Sequence, residues 1–96
     1  MPYYVVLGNF TEQGIRKVKD VPKRDESARR MIAQAGGKMQ LYYTLGEYDF
    51  VAIIEMPSDE SMAQFLLKVG SFGNVRTKTL KAWNESEIGK VLAQIR

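Results

Sequence analysis

A chain of 96 residues with 14 Lys and Arg against 11 Asp and Glu, a net charge of +3, and neither cysteine nor histidine excludes several chemistries at once. Its length fits one α+β domain over residues 1–96, burying only about 60–65% of the unfolded surface with no disulfide to help. Thiolate-held metals, haem on a protein imidazole and histidine acid–base chemistry are ruled out, so no metal and no cofactor is expected.

The opening Met-Pro-Tyr-Tyr-Val-Val-Leu has no basic region ahead of an apolar core, unlike a signal peptide. The longest uncharged apolar run, Phe50–Ile54, is far short of the roughly 20 residues that cross a bilayer. A cytoplasmic protein with no membrane partner is the expectation. Tyr3–Phe10 is β-branched and aromatic, apolar on both faces, and so predicts an interior strand. Thr11 then caps a short helical turn over Glu12–Lys19, with Ile15 and Val18 expected to face inward.

A longer helix is predicted from Pro22, where the missing N–H of a first-turn proline costs nothing. Ala28, Met31, Ile32 and Ala35 form its apolar stripe, and Gly36-Gly37 stops it. Seven basic residues between Arg16 and Arg30 are interleaved with Glu and Asp. This pattern describes a solvated helix face better than a nucleic-acid patch, so a nucleic-acid partner is not expected.

Lys38–Leu45 alternates as a strand, with Met39, Leu41, Tyr43 and Leu45 on one face. It turns at Gly46-Glu47-Tyr48-Asp49 into Phe50–Met56, which is apolar at nearly every position. Ser58 caps a helix with Asp59 and Glu60 in its first turn, where carboxylates suit the helix dipole. Met62, Leu66 and Val69, with Ala63 and Leu67, make the buried stripe expected for it, and Gly70 ends it. Gly70-Ser71-Phe72-Gly73 leads into a last strand, Asn74–Ala82, whose Arg76 and Lys78 are typical of a sheet edge. Asn84 and Glu87 cap a C-terminal helix with Ile88, Val91, Leu92 and Ile95 as its apolar face.

The order is β-α-β-β-α-β plus a C-terminal helix. Two right-handed crossovers around a central hairpin predict a ferredoxin-like, four-stranded antiparallel sheet with the first and third strands in the middle. Two helices cover one face. The other still carries Val5, Ile53 and either Leu41 or Tyr42, an apolar patch of roughly several hundred Å² that monomers rarely tolerate. A homodimer or larger homo-oligomer joined through that sheet face is expected.

Asn9-Phe10-Thr11-Glu12-Gln13-Gly14, Gly46-Glu47-Tyr48-Asp49-Phe50 and Gly70 through Thr77 together resemble the GYD family, small domains with a Gly-x-Tyr-Asp hairpin. The resemblance runs from Tyr3 to about Ile88. It implies a dimeric α+β barrel, an architecture shared with cofactor-free monooxygenases, muconolactone isomerases and the effector domains of Lrp-like regulators. It implies no particular activity, because the family's function is unknown.

Five residues, Asn9, Tyr48, Asp49, Arg76 and Trp83, form the candidate ligand set, for a small anionic or aromatic molecule. Each also has a structural reading. Asp49 can bond backbone N–H groups of the turn, Asn9 with Thr11 and Gln13 can cap the turn after the first strand, and Arg76 can pair with Asp49 or Glu55. Trp83 can pack over the C-terminal helix. Glu55 shares a strand face with Val51 and Ile53, where it is wet unless covered.

The residues leave two functions open. One is a small oligomeric ligand-binding or assembly module without catalysis. The other is a cofactor-free oxygenase or isomerase in which the five residues position substrate and stabilise an enolate-like anion. The second would need a carboxylate or tyrosinate as base, so the chain reads more readily as a non-enzyme. A cavity between helices and sheet lined by Tyr48, Asp49 and Arg76 would favour a ligand; a solid interior would favour assembly.

Overall fold

The two most apolar strands lie at the centre of the sheet in the computed structural model, which describes residues 1–96. In chain order the elements are β1 (Tyr3–Phe10), α1 (Glu12–Arg16), a 3-10 turn (Val18–Asp20) and α2 (Val21–Gln34). Next come β2 (Lys38–Tyr43), β3 (Phe50–Glu55), α3 (Asp59–Ser71), β4 (Val75–Ala82) and α4 (Glu85–Leu92). The sheet order is β2-β3-β1-β4, with every pairing antiparallel. This is the ferredoxin-like α+β arrangement.

Strand register separates the two faces. Tyr4 lies opposite Ile54 and Val6 opposite Ala52, and these four residues, with Ile32, Met56 and Met62, form the buried core under α2 and α3. The odd-numbered positions of β1 point the other way. Val5 pairs with Ile53 and Leu80, Leu7 with Val51 and Lys78, and Tyr42 with Val51. The register thus puts Tyr42, not Leu41, on the helix-free face. Tyr42 is 56% exposed, Leu80 55% and Ile53 37%. No helix of this chain covers them.

Local chemistry sets the helix ends. Thr11 accepts the Gly14 N–H at 3.0 Å, Ser58 and Ser61 form a reciprocal capping box, and Asn84 and Glu87 form another. Pro22 sits in the first turn of α2.

Several inward-facing expectations fail. Ile15 and Val18 are exposed, because α1 is only five residues long and buries Gly14 instead. Leu45 is fully exposed, since β2 stops at Tyr43 and the alternation ends with it. On α3 the inward stripe is Met62, Phe65, Leu66 and Val69, while Ala63 and Leu67 face solvent. The apolar face of α4 is real as a pattern, yet Ile88, Val91, Leu92 and Ile95 all remain exposed. No helix is long and apolar enough to cross a membrane.

Candidate functional site

The three segments that carry the family resemblance meet at one end of the sheet. Phe10 N–H donates to Asp49 Oδ2 at 2.8 Å, and Asp49 N–H donates to the Gly8 carbonyl at 2.9 Å. Thr44 N–H in turn donates to the Asp49 carbonyl, and Thr44 Oγ1 to that of Tyr48. This ties the hairpin to the end of β1. The Gly70–Asn74 loop is held from the other side. Thr11 N–H donates to the Asn74 carbonyl at 3.0 Å, Thr11 Oγ1 to that of Gly73 at 2.6 Å, and Gln13 Nε2 to that of Phe72 at 3.0 Å. Gly14 lies so close to this loop that a Cβ there would fall 1.9 Å from the Asn74 carbonyl oxygen. Gly73 has φ +78°, a conformation that favours glycine. Thr11, Gln13 and Asp49 therefore serve a backbone junction.

The five sequence candidates are not gathered into one pocket. Asn9 lies opposite Arg76 across the β1–β4 pairing, on the helix-free face. Arg76 is exposed and pairs with neither Asp49 nor Glu55; the chain's ion pairs are Arg16–Glu12, Arg30–Glu26 and Lys81–Asp59. Asp49 turns its carboxylate to the Phe10 backbone instead. Tyr48 is half-buried beside it. Trp83 follows the far end of β4, where Ala82 opposes Tyr3, about 23 Å of strand from Arg76. It is largely exposed. The basic stretch is also partly spoken for: besides the two helical ion pairs, Arg24 Nη2 donates to the carbonyls of Gly14 and Lys17.

A cavity of about 140 Å³ lies between α2, α3 and the sheet, and none of the five candidates lines it. Sixteen of its 21 lining residues are hydrophobic, with Arg24, Asp25, Ser27, Asn74 and Thr77 as the polar members. Phe10, Tyr43 and Phe50 build one wall, with ring centroids 6.1 to 6.4 Å apart. Phe50 can lie there because Gly8 has no side chain; a Cβ on Gly8 would overlap the ring at 2.0 Å. Arg24 sits over Phe10 at 6.0 Å, within cation–π range.

Asp25 supplies the only carboxylate in that lining. Its two oxygens accept the Tyr43 hydroxyl at 2.8 and 2.6 Å, fastening α2 to β2. Burial, then this hydrogen bond, pushes the Tyr43 phenol well above its usual range. Elsewhere, Tyr4 donates to Asp59, which also binds Lys81 Nζ at 3.1 Å. Burial and then the Asp59 bond push Tyr4 up to about 12, while the Tyr4 hydroxyl and then Lys81 hold Asp59 below the ordinary carboxylate range. No group of three or more Asp, Glu, His or Cys is placed to hold a metal ion.

Sequence reading missed the chamber because each of its residues has an ordinary role as core or helix surface. One signal was present. Ala28 on α2 and Ala52 on β3 are small residues on surfaces that face the interior, where Leu or Ile would fill the space.

Comparison with known proteins agrees with the fold. The model of the GYD domain matches residues 4–92. A protein of Thermus thermophilus named glutamine synthetase and cystathionine beta-lyase binding protein is 31% identical over 84 residues, covering 85% of this chain and 88% of its own. The crystal structure of TTHA0845, also from Thermus thermophilus, superposes with a TM-score of 0.57 at 23% identity. The match spans 88% of this chain and 95% of that one.

Proposed function

We propose that this chain, which belongs to the GYD domain family, is a protein-binding module that works as a homodimer or larger homo-oligomer closed over the helix-free face of its sheet. The observation that carries this reading is that face itself. Val5, Leu7, Val51, Ile53, Leu80 and Tyr42 form its apolar centre, and Asn9, Arg76, Lys78, Gln40 and Glu55 its polar surround. An apolar centre with a polar rim is how stable protein interfaces are built. The uncovered stripe of α4 adds a second apolar surface to the same chain.

The name of the Thermus relative supports a binding role, since it speaks of binding two enzymes. By analogy, the assembled module here docks onto an enzyme, with glutamine synthetase and cystathionine β-lyase as the first partners to try. The alternative of a cofactor-free enzyme has the cavity in its favour. Against it, the cavity's one carboxylate is engaged by Tyr43, and the five candidate residues lie elsewhere.

Native mass spectrometry of the protein purified from its own host tests the proposal. Two or more copies, alone or with an enzyme attached, is the expected spectrum. A bare single chain would count against it.

A further inference from the structure

We infer that the cavity between α2, α3 and the sheet is a binding site for a small neutral aromatic molecule carrying one polar substituent, of about the size of phenol. It lies on the helix side of the sheet, away from the face that the proposed function uses, so either reading can fail without the other.

Size comes first. At about 140 Å³ the chamber approaches the roughly 150 Å³ of an engineered apolar cavity that stays dry and takes up benzene. The space is a consequence of residue choice, with Ala28 and Ala52 lining it from opposite layers among larger neighbours such as Met31, Leu41, Phe65 and Leu66. The wall of Phe10, Tyr43 and Phe50 offers ring edges and faces at spacings suited to a further ring.

Charge decides the ligand's state. Arg24 and Asp25 are the charged groups in the lining, and both are already engaged, Arg24 by two backbone carbonyls and Asp25 by Tyr43. Arg24 keeps its Nη1 and Nε donors, but the Asp25 carboxylate in the same lining already balances its charge. An incoming carboxylate would bring an excess negative charge into a mostly apolar lining, so a neutral molecule is favoured. Asn74, Ser27 and Thr77 are the uncharged polar groups of the lining, and Asn74 offers an anchor whose acceptor is already taken. The Asn74 side-chain oxygen accepts from Gln13 at 2.9 Å, which leaves its amide N–H groups to donate to a hydroxyl or carbonyl on the ligand. Tyr43 and Phe72, both half-exposed, mark where the chamber meets solvent and hence the way in.

Phenol, toluene and benzoate titrated into the full chain, followed by methyl and amide NMR, provide the test. Phenol is expected to saturate, with shifts centred on Leu41, Leu66 and Val69 and intermolecular NOEs from its ring to those methyl groups. Benzoate is expected to bind at least about tenfold more weakly than phenol. Ala28→Phe, which fills the chamber, is expected to weaken phenol at least about tenfold while far-UV circular dichroism stays unchanged. If that variant does not fold, the NOEs in the unaltered protein decide alone. The inference is overturned by any of three results: no saturable shift up to the solubility limit of phenol, benzoate binding as well as phenol, or shifts and NOEs centred on Val5, Ile53 and Leu80.

Discussion

Phe10 and Asp49 hold the end of β1 to the hairpin by a 2.8 Å hydrogen bond from backbone N–H to carboxylate, reinforced by the Asp49 N–H on Gly8. The acidic residue of the Gly-x-Tyr-Asp turn is therefore a brace. Asp49→Ala leaves the Phe10 N–H without its partner and is expected to destabilise the chain by about 1–3 kcal/mol. Asp49→Asn, which keeps an acceptor oxygen, should lose less. Urea denaturation monitored by circular dichroism measures both.

Gly14 and the Asn74 carbonyl pack at backbone distance, so even a methyl group has no room. Gly14→Ala should cost about 1–3 kcal/mol through displacement of the Gly70–Asn74 loop. Gly70→Ala, with open space around its Cβ position, serves as the control and should change stability little. Equal losses for the two variants would contradict the junction as described.

The Tyr4–Asp59–Lys81 cluster gives a pH dependence at both extremes. Asp59 has a lowered folded-state pKa, so its contribution is present above the ordinary aspartate pKa and is lost as pH falls through the folded value. Tyr4 is raised from 10 to about 12, so its contribution is complete below pH 10 and is lost as pH rises through about 12. Thermal unfolding against pH should show Tyr4→Phe removing part of the alkaline loss and leaving the part that the raised Tyr43 phenol contributes. At neutral pH the same variant should lower the unfolding temperature, because it removes the hydroxyl that binds Asp59.

Strand order and helix caps were legible in the sequence because each rests on local pattern. Tyr3–Phe10 and Phe50–Met56 are apolar on both faces and lie centrally, and Thr11, Ser58 and Asn84 cap as expected. Side-chain destinations were less so. Asp49 and Arg76 look like partners in one dimension, but register sends Arg76 to the helix-free face while Asp49 turns to the Phe10 backbone. The chamber was invisible for another reason: a void is made by what Ala28 and Ala52 lack, on two elements whose packing against each other no single stretch encodes.

Light scattering on the purified protein at micromolar concentration, beside Ile53→Glu, bears most directly on the claim that the bare sheet face is an interface. The account predicts at least twice the single-chain mass for the unaltered protein, and a folded single chain for the variant, whose buried carboxylate would be unpaired. An unaltered protein that elutes as one chain would contradict it.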